Sequence, residues 1–167
     1  RAETVAKVKS KYGKAKVVTA ANVFAHIEDV NRVLDNIVSL LRPDGVFISE
    51  SHYLYPLIKA VQYDTIYHEH LRYYSLASLN YLMKSPGLSI FHVKRIPSHG
   101  GSIRVYAAKK GLYSQDKTVS EMLGKERNIV TSINNLLKFK NKVVLSKLGL
   151  QKLLLDIKKK KKRVFGI

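Results

Sequence analysis

Between Tyr63 and Tyr74 the chain reads Tyr-Asp-Thr-Ile-Tyr-His-Glu-His-Leu-Arg-Tyr-Tyr, the densest run of reactive side chains in the sequence. Propensity and packing alone do not call for His68-Glu69-His70. The run suits proton transfer, because imidazole titrates near neutrality and a carboxylate beside it can set its orientation. Metal binding is a second reading, with alternate histidines chelating from one face of an extended segment. A hydrogen-bonded surface cluster is the third, and spacing leaves all three open.

Two other places carry polar groups where a ligand could use them. Asn22 and His26 are four residues apart, just past an apolar run, and Pro97-Ser98-His99-Gly100-Gly101 holds a histidine against paired glycines that permit positive φ and close backbone approach. Asn22 could equally cap a following helix, His26 could be a helix-entry residue, and the 97–101 segment could be a plain hairpin turn. His52, His68 and His92 read as satisfied polar residues, and Tyr53, Tyr55, Tyr73 and Tyr74 as packing.

These groups need elements to hold them. Residues 2–12 read as the tail of an amphipathic helix stopped at Gly13, and the β-branched run 15–21 as a buried parallel strand. A helical period then places Ile27, Val30, Val33, Leu34, Ile37, Val38 and Leu41 on one face, and Arg42-Pro43-Asp44-Gly45 turns the chain into a second strand over 46–49. Strand, helix and strand form a right-handed βαβ unit, which predicts a doubly wound α/β sheet with ligands beyond the strands' carboxyl ends, at residues 22–26 and 50–52. Further on, the pattern predicts helices over 55–62 and 76–84, strands over 88–94 and 102–109, a helical stretch over 118–159 interrupted near 140–147, and another strand at Val164.

Composition narrows the function classes. The 167 residues and 46% hydrophobic content suffice for one real core, and the lack of cysteine excludes disulfides, thiolate metal sites and a cysteine nucleophile. No apolar run approaches the roughly 18 residues a bilayer crossing requires, so no membrane partner is expected. A net charge of +18 invites a polyanion, yet the lysines are scattered and the dense block at 158–163 lacks interleaved aromatic residues, which argues against nucleic acid. Both ends read as cut, the first for want of an initiator methionine and a signal peptide, the second because a strand runs into Gly166.

Four motifs in order, Ala21-Asn22-Val23-Phe24-Ala25-His26-Ile27 with Asp29, Leu41-Arg42-Pro43-Asp44-Gly45, Tyr63 to His70, and His99-Gly100-Gly101-Ser102-Ile103-Arg104-Val105-Tyr106, resemble the sugar C-methyltransferase family of deoxysugar biosynthesis. Leu-Arg-Pro-Asp-Gly recurs across class I methyltransferases, whereas Tyr-His-Glu-His with a later His-Gly-Gly-Ser is far more specific. The resemblance implies a partial Rossmann-like class I methyltransferase sheet over residues 1–112 with a catalytic insert. It implies a helical connector and the first strand of a second Rossmann-like C-terminal domain over 113–167.

It further implies S-adenosylmethionine as methyl donor and a nucleotide-linked ketosugar as substrate. The carbon beside the ketone is deprotonated and the resulting enolate methylated, in the cytoplasm. His70 is the implied base, Glu69 and Tyr67 orient it or the substrate, His26 assists at the sugar, Asn22 shares substrate contact, and His99, Gly100 and Gly101 line the sugar pocket. Ser102 and Arg104 pair within the strand or meet a phosphate. The family's glycine-rich cofactor loop and ribose-binding acid would lie before Arg1, and zinc belongs to its N-terminal domain. The chain by itself is therefore expected to be inactive, with no metal of its own. The rival readings are a class I methyltransferase acting on another small acceptor, a basic polyanion-binding module without catalysis, and a degenerate domain that keeps the fold.

Overall fold

A computed structural model describes residues 2–166. Six helices and four strands follow one another as α1 (Ala2–Tyr12), β1 (Ala15–Ala21), α2 (Val30–Leu40), β2 (Leu41–His52), α3 (Leu54–Ala60), α4 (Leu76–Lys84), β3 (Leu88–Ile96), β4 (Ser102–Lys109), α5 (Lys117–Val130) and α6 (Ile133–Lys159). The strands form one sheet in the order β1-β2-β4-β3, with β1 and β2 parallel and β4 antiparallel to both of its neighbours. The chain is thus α/β, and its βαβ unit is joined by a β3–β4 hairpin.

Helix α2 forms where the apolar period is strongest, buries Val30, Leu34 and Ile37 along one stripe, and is capped by Asp29, whose side chain accepts from the Arg32 amide. Helix α4 starts with a reciprocal Ser75–Ser78 capping box. Phe47, Ile90, Ile103 and Val105 face these helices from the sheet, and Phe24, Leu79, Met83 and Val119 complete a core from which water is excluded. The opposite face, which carries Val17, Ile48, Glu50, Arg104 and Tyr106, is only partly buried at most positions. The two faces differ because α2, α4 and α5 pack their apolar stripes on the first.

Four expectations need correction. The run 15–21 is parallel to its neighbour as expected but is not buried: β1 is an edge strand with every residue half-buried or exposed, because nothing among the described residues pairs with its outer side. Strand β2 starts at Leu41 rather than at residue 46, and the Arg42-Pro43-Asp44-Gly45 segment is an irregularity inside the β1–β2 ladder between the Ala15–Leu41 and Val17–Val46 pairs. It is held by Lys16, whose Nζ donates to the Asp44 carboxylate at 2.7 Å and to its carbonyl at 2.8 Å. The helical stretch breaks at Thr131-Ser132 and runs unbroken through residues 140–147. Ser132 caps α6, and the lysines at 140, 142 and 147 are good helix formers on an exposed face. Residues 163–166 form no strand, since no neighbouring edge offers them the pairing a strand requires.

Candidate active site

The carboxyl ends of β1 and β2 open onto a cavity of about 300 Å³ lined by Asn22, Ala25, His26, Ser51, His52, Thr65, Tyr67, His70 and His99. Three chain segments far apart in sequence meet there. The first leaves β1 through Asn22, whose φ of 54° turns the backbone into a single 3-10 turn at Phe24–His26, with the Asn22 amide donating to the Glu50 carbonyl. Asparagine tolerates this left-handed conformation better than most residues. Phe24 is fully buried beside Phe47 and anchors the turn, leaving His26 at the cavity rim.

The second segment is the Tyr63–Tyr74 stretch. Its last residue, Tyr74, is tied by a bridge to Tyr53, and Leu71 before it by an amide donating to the Ala25 carbonyl at 2.9 Å. Arg72 donates from Nη2 to the Glu28 carbonyl at 2.7 Å and from Nη1 to the Ile27 carbonyl, so a single guanidinium fixes this stretch against the His26 turn. The His26 and His70 rings consequently lie 4.9 Å apart, centre to centre.

Both rings have their tautomer set by backbone carbonyls, which can only accept. His70 Nδ1 lies 3.1 Å from the Thr65 carbonyl and must donate, so Nε2 of the neutral ring presents its lone pair to the Tyr67 hydroxyl at 3.3 Å. His26 Nδ1 lies 2.9 Å from the Glu69 carbonyl and likewise donates, leaving its Nε2 for a ligand. Tyr73 packs edge-on to His70 with its ring 5.8 Å away.

The third segment is the β3–β4 connection. His99 adopts φ 51° and reaches the cavity, while Gly100 and Gly101 stand behind it. A Cβ on Gly100 would come within 2.7 Å of Gln62, and one on Gly101 within 2.8 Å of Pro56. The Gly100 carbonyl accepts from Gln62 Nε2 at 2.9 Å and the Gly101 carbonyl from the Tyr53 amide at 3.1 Å. The glycines therefore permit a close approach that carries His99 inward, and the segment is both a hairpin connection and a cavity wall. Neither glycine lines the cavity itself.

Asn22, His26, Tyr67, His70 and His99 thus come together, and Glu69 does not join them. Its side chain is exposed, and the groups that orient His70 are Tyr67 and the Thr65 carbonyl; Glu69 contributes only its own carbonyl, to His26. Ser102 donates to the Ser98 carbonyl at 3.3 Å, and Arg104 pairs across the sheet with Glu50 at 2.6 Å. His68 is exposed, and His92 bonds Asp116.

His52, Ser51 and Thr65 also line the cavity, within the 50–52 and 63–74 segments singled out in the sequence but with no individual role assigned to them there. Their signal was position, since residues 50–52 end a strand at the ligand-bearing edge of the sheet. His52 Nε2 donates to Gln62 Oε1 at 3.4 Å. Burial is the main influence on its imidazolium and pushes its pKa below the usual histidine range, against the opposing pull of the Gln62 bond. Ser51 is buried, and its hydroxyl has no hydrogen-bond partner. Among the described residues, no three histidine, aspartate or glutamate side chains gather as metal ligands.

A mixed α/β sheet with a histidine-rich cavity beyond its parallel strand ends defines an α/β enzyme-like domain. The chain belongs to the methyltransferase-domain family, whose model matches residues 2–93, and a C-methyltransferase C-terminal domain model matches residues 97–167. It is 42% identical over 128 residues to C-methyltransferase NovU of Streptomyces niveus, covering 76% of this chain and 30% of that protein. Among solved structures it is similar to a putative methyltransferase in complex with the Trm112 activator of Haloferax volcanii, at TM-score 0.48 and 14% identity, covering 57% of this chain and 54% of the other. Magnesium protoporphyrin IX methyltransferase of Synechocystis PCC 6803, with bound SAH, gives TM-score 0.46 and 16% identity over 58% and 46% of the two chains.

Proposed function

We propose that this chain supplies the acceptor half of an S-adenosylmethionine-dependent C-methyltransferase, which deprotonates the carbon beside the ketone of a nucleotide-linked sugar and methylates the resulting enolate. The observation that carries this reading is the convergence of Asn22, His26, Tyr67, His70 and His99 on one cavity at the strand ends. The 42% identity to a C-methyltransferase gives the reaction class.

His70 is the base. Its Nδ1–H is held by the Thr65 carbonyl, so its lone pair is on Nε2, where the Tyr67 hydroxyl already points a proton. As the C–H bond breaks, Tyr67 Oη takes that proton while passing its own to Nε2. The tyrosine stays neutral, the imidazole becomes imidazolium, and the bonding electrons move into the enolate. His26 offers Nε2 to a sugar hydroxyl, and Asn22 and His99 bound the sugar from either side. Glu69 acts through the carbonyl that fixes His26, and Gly100 and Gly101 through the approach they permit.

The described residues do not by themselves suit S-adenosylmethionine. No carboxylate lines the cavity to hold ribose hydroxyls, and the nearby Glu50 is engaged by Arg104 and Ser98. Residues 1–112 then carry the acceptor site, and residues 113–167 connect it to the C-terminal part, with α5 docked on the core through Val119 and Met122. A cytoplasmic setting follows from substrates made there; no helix among the described residues is long and apolar enough to cross a membrane.

The test is to incubate the full-length protein with methyl-labelled S-adenosylmethionine and a panel of nucleotide 4-ketosugars in deuterated water. Label transfer together with deuterium uptake beside the ketone, both lost in His70→Gln, is the expected result. Absence of both in the wild-type protein across the panel would overturn the reading.

A further inference from the structure

His52 differs from His26 and His70 in what sets its tautomer. The Gly100 carbonyl can only accept, so the Gln62 side-chain atom 2.9 Å from it is the donor Nε2. The other end of the same amide, Oε1, is then the atom 3.4 Å from Nε2 of His52. An amide oxygen can only accept as well, so His52 carries its proton on Nε2 and its lone pair on Nδ1. Through Gln62, a carbonyl of the β3–β4 connection dictates the polarity of a ring at the end of β2. Burial disfavours the imidazolium, and proximity to His70 and His99 disfavours it further, so the lone pair is retained at neutral pH.

That lone pair has no partner within the protein, and it is not sealed off. Among the described residues, the unpaired side-chain polar atoms closed to solvent are the Ser49 and Ser51 hydroxyls, and His52 Nδ1 is not one of them. The ring borders the cavity together with Asn22, Thr65 and His99. His26, whose Nε2 is free for one group of the ligand, follows β1, whereas His52 ends the neighbouring strand β2. The two acceptors therefore meet different parts of a bound sugar.

We propose that His52 is a specificity-determining residue for the acceptor: its Nδ1 accepts a hydrogen bond from a hydroxyl or amino group on the sugar ring, and Gln62 is the positioning residue that keeps that nitrogen unprotonated. The opposite tautomer would present a proton to a group that offers one too. A ligand lacking the donor leaves the lone pair without its bond, so the site discriminates against it. No covalent bond to His52 or Gln62 forms or breaks.

Two substitutions divide the ring between them. The terminal atoms of asparagine sit at the δ position, so His52→Asn retains an acceptor where Nδ1 stands and gives up the bond to Gln62. Those of glutamine sit at the ε position, so His52→Gln retains a donor toward Gln62 and gives up the acceptor. A role in packing alone would be served better by the variant that keeps the Gln62 bond, and a role in recognition by the other.

The ligand in this proposal rests on the function proposed above, whereas the tautomer does not, and the experiment reads both. Nitrogen-15 NMR of the full-length protein at pH 8 is expected to show His52 in the Nε2–H form, the opposite of His70, and Gln62→Leu is expected to mix in the Nδ1–H form. Deuterium uptake is then measured on matched nucleotide 4-ketosugars that carry a hydroxyl, an amine or a hydrogen at one ring carbon, each position being varied in turn. The wild type is expected to favour the hydroxyl or the amine over the hydrogen at one position by about 10-fold in kcat/KM, and whichever is favoured identifies the group. His52→Asn is expected to keep that preference and His52→Gln to lose it. An Nδ1–H ring in the wild type, a ring unaltered by Gln62→Leu, or a preference that survives in His52→Gln would overturn the assignment and leave the reaction standing. Wild-type exchange with no such preference at any position would do the same. No exchange by the wild type across the panel would remove the reaction, and the assignment with it.

Discussion

Tyr67 Oη stands 3.3 Å from Nε2 of His70, while Nδ1 of the same ring stands 3.1 Å from the Thr65 carbonyl oxygen. The carbonyl decides the tautomer and the tautomer decides which nitrogen is basic. At pH 8, nitrogen-15 NMR of His70 is expected to show the Nδ1–H form. His70→Gln is expected to lower deuterium exchange and methyl transfer in the full-length protein by about 10²–10⁴-fold, the range of a lost general base. Tyr67→Phe keeps the Thr65 bond and removes only the bridging hydroxyl, so the tautomer should persist while the rate falls. A change of tautomer in Tyr67→Phe would mean that the tyrosine, and not the carbonyl, sets the ring.

His52 predicts a pH dependence of stability. Its pKa in the fold is held below the ordinary value of about 6.5, chiefly by burial. The unfolded chain therefore binds a proton at a higher pH than the folded one. The stability is fully present above about pH 6.5 and is lost as pH falls from there through the lowered folded value. His52→Gln removes this titration, so the slope of unfolding free energy against pH on the acid side of neutrality should flatten. Urea titrations of wild type and variant between pH 7.5 and pH 5 check it; parallel slopes would show that His52 does not contribute.

Glu126 is 1% exposed and accepts three hydrogen bonds: from the Tyr53 hydroxyl at 2.8 Å and from the Leu76 and Ala77 amides at 2.9 and 2.7 Å. It thereby ties α5 to the N-terminus of α4 and to the end of β2. Burial, seconded by the Glu126 carboxylate, pushes the Tyr53 hydroxyl well above the usual tyrosine range, so Tyr53 stays a donor. Glu126→Ala leaves two buried donors and one partly buried donor without an acceptor and is expected to cost on the order of 3 kcal/mol in denaturant unfolding. Glu126→Gln retains one amide oxygen and should fall between; an alanine variant as stable as wild type would show that water replaces the carboxylate.

Much of this arrangement could be read from residue order, and the exceptions have physical causes. The β1-α2-β2 order was legible because α2 keeps a strict helical period between two apolar runs, although β1 proved to be an exposed edge strand; the candidate cavity lies at the strand ends where ligands were expected. Glu126 was not: its spacing from Val119 and Met122 puts it on the buried stripe of α5, unlike Glu121, but its partners lie on α4, fifty residues away in sequence. For the run His68-Glu69-His70, spacing alone gave no direction to the side chains. Adjacent residues in an irregular segment point different ways, so His70 turns inward while Glu69 contributes only backbone. The break expected at residues 140–147 and the strand expected at Val164 failed because helix α6 tolerates exposed lysines and a strand needs a partner.

Gly101 tests how closely the hairpin and the cavity are coupled. Its φ of 124° lies where side chains are rarely accommodated, and an added Cβ would sit 2.8 Å from Pro56 Cγ, a ring that cannot swing away as a flexible side-chain tip can. Strain of this kind costs about 1–3 kcal/mol before the clash is counted. Relief requires the 98–101 turn to move off α3, which breaks the Tyr53 amide to Gly101 carbonyl bond and carries His99 away from the cavity. Gly101→Ala is therefore expected to lower stability by at least that amount and to raise KM for the ketosugar in the full-length protein. Gly111 supplies the comparison, with φ 87° and nothing within 4 Å of an added Cβ. Gly111→Ala should lower the melting temperature through backbone strain alone and leave KM unchanged. A Gly101→Ala protein that is destabilised yet binds substrate as wild type does would detach His99 from the site.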